Sequence, residues 1–481
     1  MEFCNIDSYL KNISNKKGSF KCLTSNEHIN FKDFLIICQN LAENIKNLGV
    51  KENDIVFFCR KNSLDYLKFF FASLLGNFIF FPIDYTSKKY FIEKLKKQFV
   101  PKLIIDDQFD ISLLLKKKNI KITHSLNNNC LIVLTSGTTG DPKGILFKKS
   151  SLFKSAKYFS NLVKYDEKSR VYHILPMHYM AGLLNTFLSP LLSGSTIIVG
   201  DGLNSLSLLH FWNTILENNI NSLHITPTIA SALVRLNKDK VFNKNDITLF
   251  REIISTGSFL DKNLIDNFEN NFGIRLRSCY GITEAGGPLT CQNWDDTYEL
   301  QNVGIYLKEI NFKTEKVNAE DVKESLFVKT NFMMEGYVNS NNDIANSKFD
   351  LELDEEGFFN TKDYAILKEN KVFLEGRRKD IIKIGDEIIS LRHIENEIKK
   401  IDIIEDAACT DQEDSMLGRK IVCFCKFISN ENTLEQINQL NIFLNDKLKK
   451  KELPGKIIPV NEIPKNQAGK VQKHILKSIY L

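Results

Sequence analysis

The sequence has no hydrophobic run long enough to cross a lipid bilayer. Its longest apolar stretch, Phe69–Ile83, is shorter than the roughly 20 residues that a membrane-spanning helix needs. Gly76, Asn77 and Pro82 also interrupt that stretch. Residues 1–18 contain no apolar core of the kind that a secretory signal requires. We therefore expect a soluble protein without membrane insertion.

Charge and cysteine patterns exclude two further classes of protein. Lysine and arginine total 64 against 59 aspartates and glutamates, so a net charge of +5 is spread over 481 residues. That excess is too mild for a nucleic-acid-binding surface. The ten cysteines lack the spacing of metal ligands, and core packing explains Cys423 and Cys425, which share one face of an expected strand. Thiols without a secretory signal indicate a reducing compartment, and we predict a cytoplasmic protein.

The sequence also lacks the phosphate-binding motif of ordinary P-loop NTPases. That motif needs Gly-Lys followed directly by Ser or Thr. Here Lys143 follows a proline and precedes a glycine, while Gly469-Lys470 is followed by valine. An ordinary P-loop NTPase is therefore disfavoured.

A dense cluster of hydrogen-bond donors nevertheless lies in Thr135–Gly144, after an apolar run, Leu131–Leu134, that predicts a buried strand. The segment combines several hydroxyls with three glycines and Lys143. Glycines let backbone N–H groups approach an anion closely, and hydroxyls and a lysine add donors. The pattern predicts a polyphosphate-binding loop between a strand and the next helix. The alternative is an ordinary surface turn rich in Gly, Ser and Thr.

This loop resembles the phosphate loop of the AMP-forming adenylating superfamily, which comprises acyl-CoA and aryl-CoA ligases, peptide-synthetase adenylation domains and luciferases. The family pattern Ser/Thr-Gly-Thr-Thr-Gly-x-Pro-Lys-Gly is filled at every position. The resemblance implies that ATP is a cosubstrate. It also implies that the ATP phosphates are bound by Thr135, Ser136, Gly137, Thr138, Thr139, Gly140 and Lys143.

A second motif, Tyr280-Gly281-Ile282-Thr283-Glu284, follows the expected strand Leu276–Cys279 and resembles the family's Tyr-Gly-x-Thr-Glu sequence. An aromatic ring can stack on a base, a threonine hydroxyl can donate to phosphate, and a carboxylate can bind a hard cation. The resemblance implies that Tyr280 stacks on adenine, Thr283 contacts the α-phosphate and Glu284 binds Mg²⁺. The alternative is a helix N-terminus with Thr283 as its cap.

Two weaker resemblances concern the nucleoside. Gly257 and Ser258 fall in a stretch similar to the family's adenine loop, although Ser-Thr-Gly-Ser is also an ordinary turn. The segment Gly357–Asp363 resembles the family's Gly-Trp/Phe-Tyr/Phe-x-Thr-Gly-Asp motif, in which the aspartate binds the ribose hydroxyls. The resemblance gives that role to Asp363, with Lys362 in place of the family's glycine. Standing alone, this segment would read as a surface turn.

The last two motifs lie near the C-terminus. The charged segment beginning at Gly376 is similar to the family's hinge motif, which implies that Arg377 contacts ribose and that Lys379 is the pivot. A charged turn is by default a solvated linker, and a hinge is one kind of linker.

Lys470 ends a Pro-Lys-x-x-x-Gly-Lys sequence that matches the family's catalytic-lysine motif. The resemblance implies that Lys470 neutralises charge on the α-phosphate and the substrate carboxylate. Thr283 and Glu284 complete the expected catalytic set.

The acid pocket departs from the family pattern. Tyr179 stands where Pro-x-x-His-x-x-Gly has its histidine, and His178 precedes it. Adenylation domains for α-amino acids carry an Asp in this region to bind the ammonium, and none occurs between Val171 and Gly182. We therefore expect an apolar or aromatic pocket and an acid other than an α-amino acid. The expected pocket residues are His178, Tyr179, Gly281 and Gly286, although a packed core histidine explains His178 equally well.

Short apolar runs alternate with helical patterns from about residue 55 to residue 281, which predicts an α/β fold with parallel sheets covered by helices. We expect an N-terminal adenylating domain over residues 1–376, with a β-rich subdomain at about 290–376. A small mobile α+β lid domain follows over residues 377–481, with its hinge near Lys379.

The resemblance implies ATP- and Mg²⁺-dependent activation of a small carboxylic acid to an acyl-adenylate with release of pyrophosphate. The acyl group then passes to a thiol of CoA or of a carrier protein's phosphopantetheine. Asp386 stands where the family has a glycine that approaches the pantetheine arm, so thiol transfer is less secure than adenylation. Two alternatives are an amide ligase with an amine acceptor and a non-catalytic nucleotide-binding homologue. The presence of Glu284, Asp363, Arg377 and Lys470 argues against the second.

Overall fold

The computed structural model describes residues 6–114, 128–134, 143–200, 202–236, 249–257, 260–293, 299, 301–317, 323–345, 349, 351–384, 387–414, 418–429, 433–466 and 470–481. The chain divides into two compact units. The first comprises Met1–Asn311 and Val328–Phe359, and the second comprises Phe312–Phe327 and Asn360–Leu481. A functional boundary at residue 377, with a hinge near Lys379, stays a prediction.

Strands run through both units. In the described residues they are β1 (Ser19–Cys22), β2 (His28–Asn30), β3 (Ile55–Phe58), β4 (Ile79–Pro82), β5 (Leu103–Ile105), β6 (Asn129–Leu134), β7 (Gly144–Lys148), β8 (Arg170–His173), β9 (Thr196–Val199), β10 (Ser222–Ile225), β11 (Glu252–Ser255), β12 (Arg277–Ile282), β13 (Gly287–Cys291), β14 (Asn302–Ile305), β15 (Ile310–Glu315), β16 (Ser325–Thr330), β17 (Gly336–Val338), β18 (Phe359–Lys368), β19 (Lys371–Arg377), β20 (Ile381–Ile384), β21 (Glu387–Ser390), β22 (Ile404–Asp414), β23 (Gly418–Phe427) and β24 (Lys456–Pro459).

Helices separate many of these strands. They are α1 (Ile6–Ser14), α2 (Phe31–Asn47), α3 (Leu64–Gly76), α4 (Lys89–Phe99), α5 (Lys149–Leu162), α6 (Met180–Leu183), α7 (Ser189–Ser193), α8 (Ser205–Leu209), α9 (Phe211–Glu217), α10 (Pro227–Leu236), α11 (Lys262–Phe272), α12 (Asn341–Ala345), α13 (Leu391–Ile398), α14 (Thr433–Lys447) and α15 (Lys473–Tyr480). A π-helical turn, Leu184–Leu188, joins α6 to α7, and 3₁₀ turns lie at Ile111–Leu114, Arg378–Asp380 and Lys450–Glu452.

A six-stranded sheet carries the expected phosphate-binding segment. Its order is β17-β7-β6-β4-β3-β5, with β3 to β6 parallel and with β7 and β17 antiparallel to their neighbours. The prediction that Thr135–Gly144 joins a strand to a helix is wrong, because Leu134 pairs with Gly144 and the segment closes a β6–β7 hairpin. Gly144–Lys148 is a short, mostly buried apolar run, so it adds a strand before α5 begins at Lys149.

The second sheet of the first unit is also largely parallel. Its strands follow the order β14-β13-β12-β11-β10-β8-β9-β1-β2. Adjacent strands from β1 to β12 in that order are parallel, whereas β2, β13 and β14 are added antiparallel. Two such sheets with intervening helices confirm the predicted α/β class.

The apolar stretch Phe69–Ile83 is part of this core. It comprises the end of α3, a left-handed residue at Asn77 (φ 62°) and β4, all of them buried. Asparagine tolerates that backbone conformation better than most side chains and so ends the helix. Among the described residues, no helix is long and apolar enough to span a membrane.

The second unit contains three groups of strands. They are the row β15-β16-β18-β19, the hairpin β20–β21, and a sheet of the order β22-β23-β24. Helix α13 and helix α14 pack on this last sheet through a core that includes Ile394, Leu440 and Leu444. Cys423 and Cys425 are buried in β23, which confirms their predicted place in the core.

One buried histidine of the first unit gives a prediction for stability against pH. His224 in β10 is fully buried and shares a hydrogen bond of 2.7 Å between its Nε2 atom and the Tyr165 hydroxyl. Burial lowers the pKa of His224 to about 3. Below the ordinary histidine pKa of about 6.5 the unfolded chain therefore binds a proton that the folded chain does not, so stability falls on acidification.

We expect His224→Gln to remove this contribution. The free energy of unfolding of the wild type should fall by about 2 kcal/mol more than that of the variant between roughly pH 6.5 and pH 4.5, because one proton shifts stability by about 1.4 kcal/mol per pH unit. Urea unfolding at several pH values measures this difference. The exposed His210→Gln variant is the control. Parallel stability curves for wild type and His224→Gln would contradict the prediction.

Candidate functional site

Close packing fixes Gly144, the last residue of the expected phosphate loop. Residues 135–142 lie outside the described residues, so the predicted phosphate-binding residues Thr135, Ser136, Gly137, Thr138, Thr139 and Gly140 are not described. Gly144 is described, and a Cβ atom there would lie 2.6 Å from Cγ2 of Ile132 and 3.1 Å from Cγ2 of Val338. The glycine therefore allows β7 to pack between its neighbours directly after the loop.

Lys143 stands at the end of the loop and faces an aromatic ring. Its Nζ atom lies 5.4 Å from the centre of the Tyr337 ring. An ammonium over a tyrosine face is attracted by about 0.5–1 kcal/mol at exposed sites and more where water is excluded. The Tyr337 ring thus restrains the position of the Lys143 ammonium group.

The second motif lies in a strand and the turn after it. Tyr280 and Gly281 belong to β12, and the turn Thr283–Gly286 leads antiparallel into β13. The alternative interpretation as a helix N-terminus is therefore wrong, because the N–H of Gly286 donates to the Thr283 carbonyl at 2.9 Å within a strand-to-strand turn. Tyr280 is buried, with 8% of its surface exposed.

Gly281 is required by the approach of two backbones. A Cβ atom at this position would lie 2.1 Å from the Gly287 carbonyl oxygen and 2.7 Å from Cα of Pro288. The pairing of β12 with β13 also shifts register between Tyr280 and Gly281. The irregular pairing lies just before the end of β12, and the turn with Thr283 and Glu284 follows directly.

Glu284 is half-buried in this turn and is held from two sides. The Tyr337 hydroxyl donates to its Oε1 atom at 3.1 Å, and the N–H of Met334 donates to its carbonyl at 3.0 Å. Mg²⁺ in nucleotide sites is commonly bound through one or two carboxylates together with phosphate oxygens and waters. The described residues contain no cluster of three or more His, Cys, Asp or Glu side chains that could hold a metal alone. A single carboxylate with phosphate oxygens therefore fits this site.

The expected adenine loop is only partly described. Gly257 follows β11 with φ 91°, a left-handed conformation that favours glycine. The preceding Thr256 donates its N–H to the Ile225 carbonyl at 3.1 Å, which fixes the end of β11 against β10. Ser258 lies outside the described residues.

The expected acid pocket brings α6 next to the Gly286-Gly287 turn. A Cβ atom on Gly287 would lie 3.4 Å from Met180 and 3.5 Å from Leu184, and the Ser155 hydroxyl donates to the Gly286 carbonyl at 2.7 Å. Gly286 has φ 94°, and a Cβ atom there would meet the Phe332 carbonyl at 2.3 Å. These contacts surround the two glycines with apolar side chains.

His178 and Tyr179 follow β8, and their rings are in contact with centres 4.2 Å apart and planes tilted by 45°. Burial lowers the pKa of His178 to about 4, so its ring is neutral at pH 7. Its Nε2 atom is buried without a hydrogen-bond partner among the described residues. Asn62 fixes this loop, since its side chain accepts from Met177 and donates to Leu175. Sequence reasoning missed Asn62, which precedes α3 in an unrelated segment.

In the second unit, Asp363 and Arg377 are partners. They pair directly across β18 and β19, and Arg377 Nε lies 3.2 Å from a carboxylate oxygen of Asp363. Sequence reasoning assigned each to ribose separately and did not predict that they form an ion pair. Lys362 replaces the family's glycine and has φ 61°. Its backbone therefore adopts the left-handed conformation that glycine favours, although the residue is a lysine.

Lys379 lies in the 3₁₀ turn Arg378–Asp380, and its side chain is not among those described. The next residue, Asp380, accepts from the half-buried Lys473 at 3.0 Å, and Lys473 also lies 2.8 Å from Glu395. These carboxylates raise the pKa of Lys473 despite its burial. Lys473 ties the start of α15 to the predicted hinge, a connection with no signal in the sequence because its partners lie far away along the chain.

Lys470 precedes α15 in a closed turn. Asn466 accepts from the Lys470 N–H and donates its own N–H to the Lys470 carbonyl, both at 2.9 Å. A bridge between Lys465 and Val471 closes the base of the turn. The backbone of Lys470 is therefore held by its neighbours, and its side chain is half-buried.

Comparison with known proteins agrees with the motifs. Residues 116–338 match the family model of the AMP-binding enzymes, which confirms the predicted resemblance to the AMP-forming adenylating superfamily. The mitochondrial malonate–CoA ligase ACSF3 of Xenopus laevis is 24% identical over 72% of this chain and 64% of its own length. Oxalate–CoA ligase of Saccharomyces cerevisiae is 24% identical over 73% and 63%, respectively. The chain thus spans less than two thirds of these relatives.

A solved structure shows the fold over the whole chain. ATP-bound MatB from Rhodopseudomonas palustris superimposes with a TM-score of 0.84 at 19% identity, covering 99% of each chain. At this level of identity the likeness establishes the fold. It confirms the mixed α/β architecture.

Proposed function

We propose, from the confirmed relationship to the AMP-forming adenylating superfamily, that this chain is an acid–thiol ligase. It activates a small carboxylic acid with ATP to an acyl-adenylate, releases pyrophosphate, and passes the acyl group to a thiol of CoA or of a carrier protein. Relatives named for this type of reaction, the malonate and oxalate CoA ligases, support the proposal.

The observation that carries this proposal is the position of Tyr337 between two distant motifs. Its ring lies under the Lys143 ammonium and its hydroxyl binds Glu284, so the phosphate loop and the Tyr-Gly-x-Thr-Glu motif meet at one side chain. Lys143 and Glu284 are 141 positions apart in sequence (284 − 143). A lysine for phosphate and a carboxylate for a cation, both in contact with one tyrosine, suit a metal-bound polyphosphate.

Positioning and charge stabilisation account for the chemistry. The substrate carboxylate attacks the α-phosphorus of ATP, and pyrophosphate leaves. This reaction requires no covalent bond between the substrate and the protein. Thr283 is assigned to the α-phosphate, Lys143 to the leaving phosphates, and Lys470 to the charge on the α-phosphate and the acid. Glu284 would hold Mg²⁺, which supplies positive charge next to the phosphates. Tyr280 and Gly257 are assigned to adenine, and the Asp363–Arg377 pair to ribose.

The pocket favours an acid with an apolar or aromatic body. Met180, Leu184 and the Gly286-Gly287 turn supply the apolar surface near Tyr179. His178 is neutral at pH 7 because burial lowers its pKa to about 4, so it offers no fixed positive charge to a second carboxylate. We therefore place aryl and acyl monocarboxylates ahead of dicarboxylates, and the absence of an Asp between Val171 and Gly182 places them ahead of α-amino acids.

A pyrophosphate-exchange assay over a panel of acids tests this proposal. The panel contains aryl acids, straight-chain acyl acids, malonate, oxalate and α-amino acids, each with ATP and Mg²⁺. We expect exchange with at least one aryl or acyl acid and none with α-amino acids. If no acid in the panel supports exchange, the proposed function is refuted. Strong exchange with an α-amino acid refutes the pocket assignment.

The acceptor requires a separate measurement. Asp386 and Gly385 lie outside the described residues, and Asp386 replaces a glycine of the family's pantetheine-approaching loop. That side chain favours an amine acceptor as the second candidate. Product analysis with CoA, with a phosphopantetheinylated carrier protein and with amines separates the two reactions. The cytoplasmic location also stays a prediction.

A further inference from the structure

The short strand β17 bridges the two motifs described above. It pairs antiparallel with β7, placing Tyr337 opposite Ile145 and Val338 opposite Gly144. Just before it, Glu335 donates its N–H to the Leu146 carbonyl at 2.8 Å and forms an ion pair with Lys148. Backbone pairing therefore fixes β17 to the strand that leaves the phosphate loop.

The same segment is fixed to the turn that carries Glu284. The hydrogen bond from Met334 N–H to the Glu284 carbonyl joins the two backbones at 3.0 Å. The Thr330 hydroxyl also donates to the Ala285 carbonyl at 3.3 Å. Tyr337 thus projects from a strand whose backbone is tied both to the phosphate loop and to the Glu284 turn.

The Tyr337 side chain contacts both motifs. Its hydroxyl donates to Oε1 of Glu284 at 3.1 Å, a charge-assisted hydrogen bond that restricts rotation of the carboxylate. Its ring lies 5.4 Å from the Lys143 Nζ atom. The phenol is also half-buried, where such contacts are screened less by water than at a surface.

We propose that Tyr337 is a positioning residue for the nucleotide: its hydroxyl orients the carboxylate of Glu284 for the cation, and its ring restrains the ammonium of Lys143 for the phosphates. The inference rests on the proposed function, since it concerns the same ATP site. Tyr337 belongs to neither motif, yet in this proposal it positions one side chain of each. Tyr337 acts through its neighbours and makes no contact with reacting atoms in this assignment.

The test separates the hydroxyl from the ring. Tyr337→Phe keeps the ring and the packing but loses the hydroxyl, and Tyr337→Leu loses both. ATP binding without acid is measured by titration calorimetry over a series of Mg²⁺ concentrations. We expect Tyr337→Phe to raise the Mg²⁺ concentration for half-maximal ATP affinity about tenfold, because hydrogen bonds to charged groups contribute about 1.5 kcal/mol or more.

Tyr337→Leu should weaken ATP binding by about a further threefold even at saturating Mg²⁺, since the lysine then loses its aromatic partner. The control is Tyr90→Phe, because Tyr90 lies on the surface of α4 with 72% of its area exposed. A double variant with Glu284→Gln supplies a second measurement. In that background Tyr337→Phe should change the Mg²⁺ dependence less than twofold.

Each outcome bears on the inference. An unchanged Mg²⁺ dependence in Tyr337→Phe overturns it, and so does an equal loss of ATP affinity at every Mg²⁺ concentration, which indicates a purely structural role. Wild-type protein that binds ATP but exchanges pyrophosphate with no acid refutes the proposed function and leaves this inference standing. Wild-type protein that binds no ATP at any Mg²⁺ concentration refutes both before any variant is compared.

Discussion

Replacing Lys470 with alanine lowers the rate of acid-dependent pyrophosphate exchange by about 10²–10³-fold, the usual cost of removing one group that stabilises developing charge. The α-phosphate gains an oxygen ligand while the acid's negative charge approaches it. A positive side chain at this point stabilises the transition state more than the bound substrates. We therefore expect the main loss in kcat, with a smaller change in the KM for ATP, measured by steady-state exchange kinetics.

The fold of the Lys470→Ala variant should remain intact. Asn466 holds the backbone of residue 470 through two hydrogen bonds, and the Lys465–Val471 bridge closes the turn without the lysine side chain. Lys456→Ala is the matched control, because Lys456 is an exposed lysine of the same unit, in β24. Full exchange in Lys470→Ala, or an equal loss in Lys456→Ala, would contradict the assignment of Lys470.

Replacing Gly281 with alanine destabilises the protein by about 3 kcal/mol and removes most of the exchange activity. The added Cβ atom would meet the carbonyl carbon and oxygen of Gly287 and Cα of Pro288, at 2.1–2.7 Å. These are backbone atoms that no side-chain rotation can move away, so β12 and β13 must separate. Overpacking of this kind costs about 1–3 kcal/mol and occasionally more. Separation also displaces Tyr280 and the turn that carries Glu284.

Urea unfolding and pyrophosphate exchange together measure this effect. Gly455→Ala is the matched control, because a Cβ atom there would make only ordinary contacts of 3.4 Å or longer with Lys420 and Ile421. Its stability should stay within about 0.5 kcal/mol of the wild type. A Gly281→Ala variant with wild-type stability would show that the two strands can separate at no cost.

The parts of the fold that depend on local pattern could be predicted from sequence. The apolar run Leu131–Leu134 became a strand because short buried runs fit a sheet and cannot remain exposed. The direction of pairing could not be predicted in the same way. Gly144–Lys148 forms an antiparallel partner of β6, and only the tertiary pairing of Leu134 with Gly144 shows that the loop closes a hairpin.

The candidate site shows the same division. Motif spacing identified Tyr280, Glu284, Asp363 and Lys470 one by one, since each lies in a recognisable local sequence. Contacts between distant segments had no such signal. The bond from Tyr337 to Glu284, the pair of Asp363 with Arg377 and the ion pairs of Lys473 with Asp380 and Glu395 all depend on which segments become neighbours.

The ion pair of Asp363 and Arg377 has a consequence for nucleotide recognition. The two charges compensate each other within β18 and β19, so this pair adds no net charge to the place assigned to ribose. Discrimination of the sugar then depends on the direction of hydrogen bonds, which salt screens weakly. Sensitivity to ionic strength should instead come from the phosphates, for which Lys143 is a proposed cation. The two ends of one nucleotide would thus be recognised by forces that respond differently to the surrounding solution.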